Sequence, residues 1–417
     1  MTTNGIATTE GDHGGAPATD RRDPFAIAES IAATLAVSAA ARDEAGGTPK
    51  EEREQLRRSG LLRLVIPKEL GGWGASWAET MRVVRILSRA DSAVGHVFGF
   101  HHLLLATARL FGQKEQWVEL FADTARNDWF WGNALNPLDT RTTITARDRQ
   151  GTARGGSGDG HWVINGTKSF CSGALDSDRL IVSALPVGGG RLVVAAIPTQ
   201  RQGIHLRDDW DCMGQRQTDS GSADFIDVAV SQGEILDTPG PLGSTFASLR
   251  PCIAQLVLAN VYLGIAEGAV AEARRYTREQ TRPWSRSGVA KSTEDPYLLL
   301  RYGKLVVALQ GAELVTDRAA TIFDEAWNQG DALTARARGE CSLAIAAAKV
   351  STTEVGLEIT TRMFDVMGAR ATSGKARLDR FWRNLRTHTL HDPVDYKLRD
   401  IGNFVLNDEL PVPSFYS

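Results

Sequence analysis

The chain has 417 residues, 42% of them hydrophobic and 23% charged, which is too long for one small core and predicts two or three domains or one large layered unit. Its 47 basic and 50 acidic side chains leave a net charge of −3. That balance gives no reason to expect nucleic acid or an acidic membrane surface as partner, and leaves small molecules as the default ligands.

Residues 1–23 mix Thr, Gly and Asp without periodicity, offer too little apolar surface to offset the entropy of ordering, and read as a disordered tail. An N-terminal helical domain is expected over 24–126. Asp23 serves as a cap and Pro24 as the first helical residue, a run of small apolar residues stops at Gly46, and helices follow near 50–59, 76–90, 92–111 and 113–125. Over 127–238 the texture changes to short alternating runs parted by glycines, such as "HWVINGTKSF", "RLIVSALP" and "ADFIDVAV", which predicts a middle β domain. "GTARGGSGDGH" and "PVGGGR" read as its hairpin or loop connections, not as phosphate cradles.

From 239 to 417 long amphipathic runs return, at about 244–285, 295–329, 334–367, 376–391 and 393–408, enough for an antiparallel helical bundle. "CIAQLVLANVYLGIAEGAV" is interrupted by Gln255, Asn260, Tyr262 and Glu267 and falls short of the ~20 consecutive apolar residues of a membrane span, so it reads as a buried core helix. The polar connection from Gln280 to Tyr297 reads either as a lid or as a disordered loop. Cys171, Cys212, Cys252 and Cys341 are spread too widely for a zinc-type pair and, with no apolar leader ahead of them, read as reduced thiols of a cytoplasmic protein. The predicted class is α+β, in the order helices, strands, helices.

The stretch "RTHTLHDP", Arg386–Pro393, carries two histidines about 300° apart around a helix, so His388 and His391 are expected to share a face. No carboxylate or cysteine stands at a ligand spacing beside them, and no metal centre is expected. Asp392 before Pro393 reads as a cap and a first-turn proline, ending one helix near His391 and opening the next. His391 would then sit at a helix C-terminus beside a carboxylate, a placement that suits a proton donor. Ser172 in "SFCSG" can donate or accept a hydrogen bond, and is otherwise an ordinary turn residue.

Four stretches carry a resemblance: "IPKELGGWGAS", "INGTKSFCSGALDSD", "DDWDCMGQRQTDSGSADFIDVAV" and "FDVMGARAT". On them the chain resembles the acyl-CoA dehydrogenase superfamily, which implies an N-terminal helical domain, a middle β domain, a C-terminal four-helix bundle and a homotetramer. Through "NGTKSFCSGA", "MGQRQTDSGS", "TRPW" and "FWRNLRTHTLHDPVDYK" it is most similar to the reduced-flavin-dependent monooxygenases, in particular those acting on dibenzothiophene.

The resemblance implies FMN, supplied reduced by a separate NAD(P)H-dependent flavin reductase, with O2 and an aromatic small molecule as the other reactants. Oxygen transfer from a C4a-hydroperoxyflavin would carry an aromatic sulfide to sulfoxide and sulfone. Ser172 would face the flavin N5, Asn133 would orient the ring or its oxygen adduct, and His391 would protonate that adduct with His388 nearby. Trp210 would pack on the ring or serve as a core tryptophan. Gln217, Thr218 and Ser220 would give neutral contacts, Arg282 and Arg370 would meet the phosphate, and Phe100, Trp131 and Phe170 would line the substrate pocket. Phe100 stands where the relatives tend to have tyrosine, which keeps an indole or a phenol open as substrate. An FAD-dependent acyl-CoA dehydrogenase is the other alternative, disfavoured because the family's Tyr-Glu-Gly-Thr reads His391-Asp392-Pro393-Val394 here.

Overall fold

The computed structural model describes residues 23–147 and 161–417. The tail through Arg22 and the glycine-rich connection of residues 151–160 lie outside the described residues. Five helices come first: α1 (Pro24–Ala45), α2 (Lys50–Ser59), α3 (Trp77–Ala90), α4 (Ser92–Phe111) and α5 (Lys114–Asn127). Their starts are written locally. The Asp23 carboxylate accepts from the Phe25 amide at 2.9 Å ahead of Pro24, Ser76 and Glu79 form a reciprocal capping box on α3, and Asp91 caps α4.

Seven strands follow: β1 (Trp131–Ala134), β2 (Thr142–Arg147), β3 (His161–Lys168), β4 (Arg179–Pro186), β5 (Val193–Pro198), β6 (Ile204–Leu206) and β7 (Ala223–Val230). They make one sheet in the order β1-β4-β2-β3-β7-β6, with β5 also paired to β4. β1 and β2 both run parallel to β4, and the remaining pairs are antiparallel. "PVGGGR" is the β4–β5 hairpin, and Gly188, Gly189 and Gly190 take the positive φ angles that this turn requires.

The bundle consists of α6 (Arg250–Glu279), α7 (Pro296–Asn328), α8 (Ala335–Met367), α9 (Arg380–Thr389) and α10 (Val394–Asn407). These helices are shorter than the apolar runs suggest. Residues 247–249 form a tighter 3-10 turn ahead of α6, and α9 stops at Thr389. Asp392 caps nothing: Pro393 is the N-cap of α10 and no side chain satisfies that end, because the carboxylate is drawn instead to Lys349 and His391.

α6 is apolar over a length that could cross a membrane, yet 83% of that window is buried between α8, α3 and α4, as befits a core helix. α1 passes the same test of length and composition, and lays Ala28, Ile31, Ala32, Leu35 and Ala39 inward. One core runs continuously from the first helices into the bundle through Leu87, Val257, Ile265 and Ile359, and a second fills the sheet around Ile144, Leu180, Val182 and Phe225. Each fully buried side chain of this kind stabilises the fold by about 1.5–3 kcal/mol relative to exposure.

Candidate active site

The turn after β3 and the loop before β7 lie side by side. Cys171 donates its amide to the Gly221 carbonyl at 2.8 Å and Gly173 to that of Thr218 at 3.0 Å. This pairing aligns a row of buried hydroxyls. Ser172 Oγ lies 2.6 Å from Ser220 Oγ, Ser220 Oγ lies 2.7 Å from Thr218 Oγ1, and Thr218 Oγ1 donates to the Gln215 carbonyl at 3.0 Å. Because the far end of the row is fixed as a donor to a carbonyl, Ser220 donates to Thr218 and Ser172 to Ser220, which leaves Ser172 with its lone pairs at the near end.

Gln215 ties this row to both helical layers. Its backbone N–H donates to Asn384 Oδ1 at 2.7 Å, and its side-chain Nε2 donates to Ser92 Oγ at 3.1 Å and to the Asn384 carbonyl at 3.2 Å. Gly214 permits the approach, since a Cβ there would sit 2.1 Å from the Arg383 carbonyl oxygen. One turn beyond Ser92 on α4 comes His96, and one turn beyond Asn384 on α9 comes His388. Their rings stack 4.6 Å apart, and Phe100 covers His96 at 4.1 Å.

Burial holds His96 down to about 3 and His388 well below the usual imidazole range, with neighbouring imidazoles adding to both effects. Both are neutral at physiological pH. His391 lies past the end of α9, so the shared helical face inferred for the pair fails. Its side chain is 40% exposed, its Nδ1 stands 2.9 Å from Asp392 Oδ1, and its ring is 5.9 Å from that of Tyr416. It occupies the mouth of the seam and His388 the interior.

Asn133 belongs to this group through the backbone: its amide donates to the Ser172 carbonyl at 3.0 Å. Its side chain is spent on the turn, donating to the Phe170 carbonyl at 3.1 Å and accepting from the Leu135 amide at 3.1 Å. Phe170 is 58% exposed with φ of 58°, and meets Trp210 edge to face at 6.0 Å; Trp210 in turn donates to the Gln215 carbonyl at 2.9 Å. Gln217 reaches the Gly46 carbonyl through Nε2 at 3.0 Å. Trp131 faces away, buried among the first helices with Nε1 on Thr124 Oγ1, so it does not line this seam. Arg370 and Arg282 gather at the end of the bundle, where Arg370 holds the Gln280 carbonyl at 2.7 Å and Arg282 is exposed two residues further on. In the Gln280–Tyr297 connection, Ser292 Oγ donates to the Thr281 carbonyl and Thr281 Oγ1 to that of Met367 on α8.

Sequence reading missed His96 and Gln215. Their roles come from contacts across three layers, and the only local signal was the histidine-aromatic spacing of "HVFGFHH". Among the described residues no three His, Cys, Asp or Glu side chains group as metal ligands, and all four cysteines are free. The seam does suit a flavin. Around its hydroxyl row, His96 Nδ1, His388 Nδ1, Gln215 Oε1 and Gln217 Oε1 are buried without a protein partner, and the half-exposed Phe170–Trp210 pair offers an apolar surface beside them.

The acyl-CoA dehydrogenase N-terminal domain model matches residues 26–128, the middle domain model 142–228 and the C-terminal domain model 256–396. The probable FMNH2-dependent monooxygenase SfnC of Pseudomonas putida is 54% identical over 96% of this chain and 98% of its own length. The methanesulfinate monooxygenase MsuC from Pseudomonas fluorescens superposes with a TM-score of 0.91 at 54% identity, over 95% of this chain and all of that one. The dibenzothiophene monooxygenase TdsC from Paenibacillus sp. A11-2, in complex with FMN and indole, superposes with a TM-score of 0.88 at 43% identity, over 94% of this chain and all of that one. The chain belongs to the acyl-CoA dehydrogenase family and, within it, to the FMNH2-dependent monooxygenases.

Proposed function

We propose that the protein is the oxygenase of a two-component system, taking reduced FMN from a separate NAD(P)H-dependent reductase and adding oxygen to the sulfur of a small organosulfur compound. The observation that carries this reading is the Gln215 junction, which brings the hydroxyl row ending at Ser172 and the neutral His96–His388 stack to one seam. An alkanesulfinate and a fused thiophene, the substrate kinds named for MsuC and for TdsC, both offer a sulfur lone pair to an electrophilic oxygen.

Bound reduced FMN would supply the two electrons that let O2 give one atom to the substrate and the other to water. The chain's own groups do the rest. Ser172 would present a hydroxyl lone pair at the flavin edge, its own proton being committed to Ser220. His96 and His388, kept uncharged by burial, offer neutral nitrogens inside the seam without adding a desolvated cation. His391 at the mouth exchanges protons with solvent and can deliver one inward. Phe100 supplies an apolar wall beside His96. The position equivalent to the dehydrogenase base is Asp392, one methylene shorter than glutamate and already engaged by Lys349 and His391, which counts against its abstracting a proton from an acyl chain.

The test is a reconstituted assay with FMN, NADH and a flavin reductase, offered methanesulfinate, dibenzothiophene, indole and an acyl-CoA in turn. A sulfur compound should yield oxygenated product and suppress hydrogen peroxide release. Bleaching of bound oxidised flavin by the acyl-CoA, or peroxide release indifferent to every substrate, would overturn the reading.

A further inference from the structure

Beside His391 lies a buried charged network. Lys349 on α8 is fully buried, and its Nζ donates to Gln255 Oε1 on α6 at 2.9 Å and to Asp392 Oδ1 at 3.2 Å. It also stands 5.0 Å from the centre of the Tyr262 ring, whose hydroxyl donates to the His388 carbonyl at 2.7 Å. Asp392, itself buried, takes the His391 Nδ1 contact on the same oxygen, and Lys397 on α10 approaches the other at 3.8 Å. Lys349 is thus one contact removed from both histidines, through Asp392 on one side and Tyr262 on the other.

We propose that Lys349 and Asp392 are positioning residues for His391: Lys349 fixes the Asp392 carboxylate, which holds the imidazole with its proton on Nδ1 and leaves Nε2 as the nitrogen that exchanges a proton with the reaction. The chemistry is restrictive. His391 and the cations Lys349 and Lys397 keep the Asp392 carboxyl well below the usual carboxylate range although burial pushes the other way, so it is ionised and can only accept. The hydrogen atom in the 2.9 Å contact must therefore come from the imidazole. The groups facing this pair are Lys349 from α8, Lys397 from α10, Tyr262 from α6, His96 from α4, His388 from α9 and Tyr416 beyond α10. A buried ammonium that lacked this carboxylate would be costly, which gives the two residues a mutual reason to stay paired.

This inference rests on the role given to His391 above, and its test separates the two. In the full-length, flavin-free protein labelled with 15N-histidine, long-range imidazole spectra distinguish a protonated from an unprotonated ring nitrogen, and the difference spectrum against His391→Gln assigns the signal among the eight histidines. Wild type should show a protonated Nδ1. Asp392→Asn, whose amide can donate, should move the neutral form to Nε2–H, and Lys349→Met should give a mixture that Lys349→Arg corrects. With reductase and FMN supplied, Lys349→Met should lower kcat at least tenfold, with KM changed less than threefold. An unaltered His391 spectrum in both Asp392→Asn and Lys349→Met would sink the positioning role, as would an unprotonated Nδ1 in wild type. Should Lys349→Met not fold, Asp392→Asn decides alone. Full turnover by His391→Gln would instead remove the catalytic reading of His391 and leave the tautomer assignment standing.

Discussion

A hydroxyl in a Cys-Ser-Gly turn says little until its neighbours are known, and Ser172 gained meaning through Ser220 and Thr218, some fifty residues away. The sequence made the three hydroxyls legible as candidates because they sit in recognisable stretches. It could not show their linkage, which depends on the turn after β3 pairing with the loop before β7. His96 and Gln215 were illegible for the same reason: each looks like an ordinary buried residue on its own segment. Ser172→Ala should weaken FMN binding by roughly 2- to 12-fold, the loss of one hydrogen bond of about 0.5–1.5 kcal/mol, as read by quenching of flavin fluorescence. His391→Ala should lower kcat by about 10²-fold or more if it handles the proton, measured at saturating substrate.

Lys349 gives a pH dependence with a definite sign. Burial lowers it from the ordinary lysine value to about 8, with Asp392 opposing that shift. The folded protein therefore binds fewer protons than the unfolded chain between about pH 8 and the ordinary lysine value, and this group alone makes stability rise with pH across that window. Lys349→Met should flatten that part of a urea-stability profile. Turnover should move the opposite way, falling as pH rises through about 8, because discharged Lys349 no longer fixes Asp392.

At the scale of elements, most helix and strand positions could be read from the sequence because caps, prolines and glycines act locally. Asp23, Ser76 and Asp91 all act as the local rules require. Asp392 broke the rule because a buried lysine on α8 competes for its carboxylate, and no local pattern announces a partner 43 residues distant. α2 makes the same point from the other direction. Its Arg53 reaches Asp219 Oδ2 at 3.0 Å, the carbonyls of Gly173 at 2.8 Å and Asp176 at 2.7 Å, and the face of Phe130. One guanidinium therefore clamps both loops of the hydroxyl row, and burial pushes the Asp219 carboxyl up to about 7 against the pull of Arg53. Arg53→Met should cost about 3–5 kcal/mol in denaturant unfolding, since it removes the partner of Asp219 and of the Gly173 and Asp176 carbonyls at once, and should weaken FMN binding more than Ser172→Ala does.

At the scale of the molecule, the layer order of helices, sheet and bundle was legible in hydrophobic periodicity, while the seam among them was not, since it is made only by packing. The surface of α7 carries an unpartnered stripe, with Leu300, Val307 and Leu314 spaced by sevens and each more than half exposed. We propose that a second copy of the chain covers this stripe in a homotetramer. Val307→Glu with Leu314→Glu should reduce the mass seen in light scattering after gel filtration while the monomer stays folded.

In the proposed reaction the seam couples O2 to the substrate's sulfur. Its most direct measurement is single turnover of the protein with chemically reduced FMN under 18O2, followed by mass spectrometry of the sulfur product. Wild type should place one 18O atom in the product per oxygenation event, with His391→Ala and Ser172→Ala diverting the label to peroxide. Product oxygen drawn from H2O, or no labelled product from any sulfur compound, would contradict it.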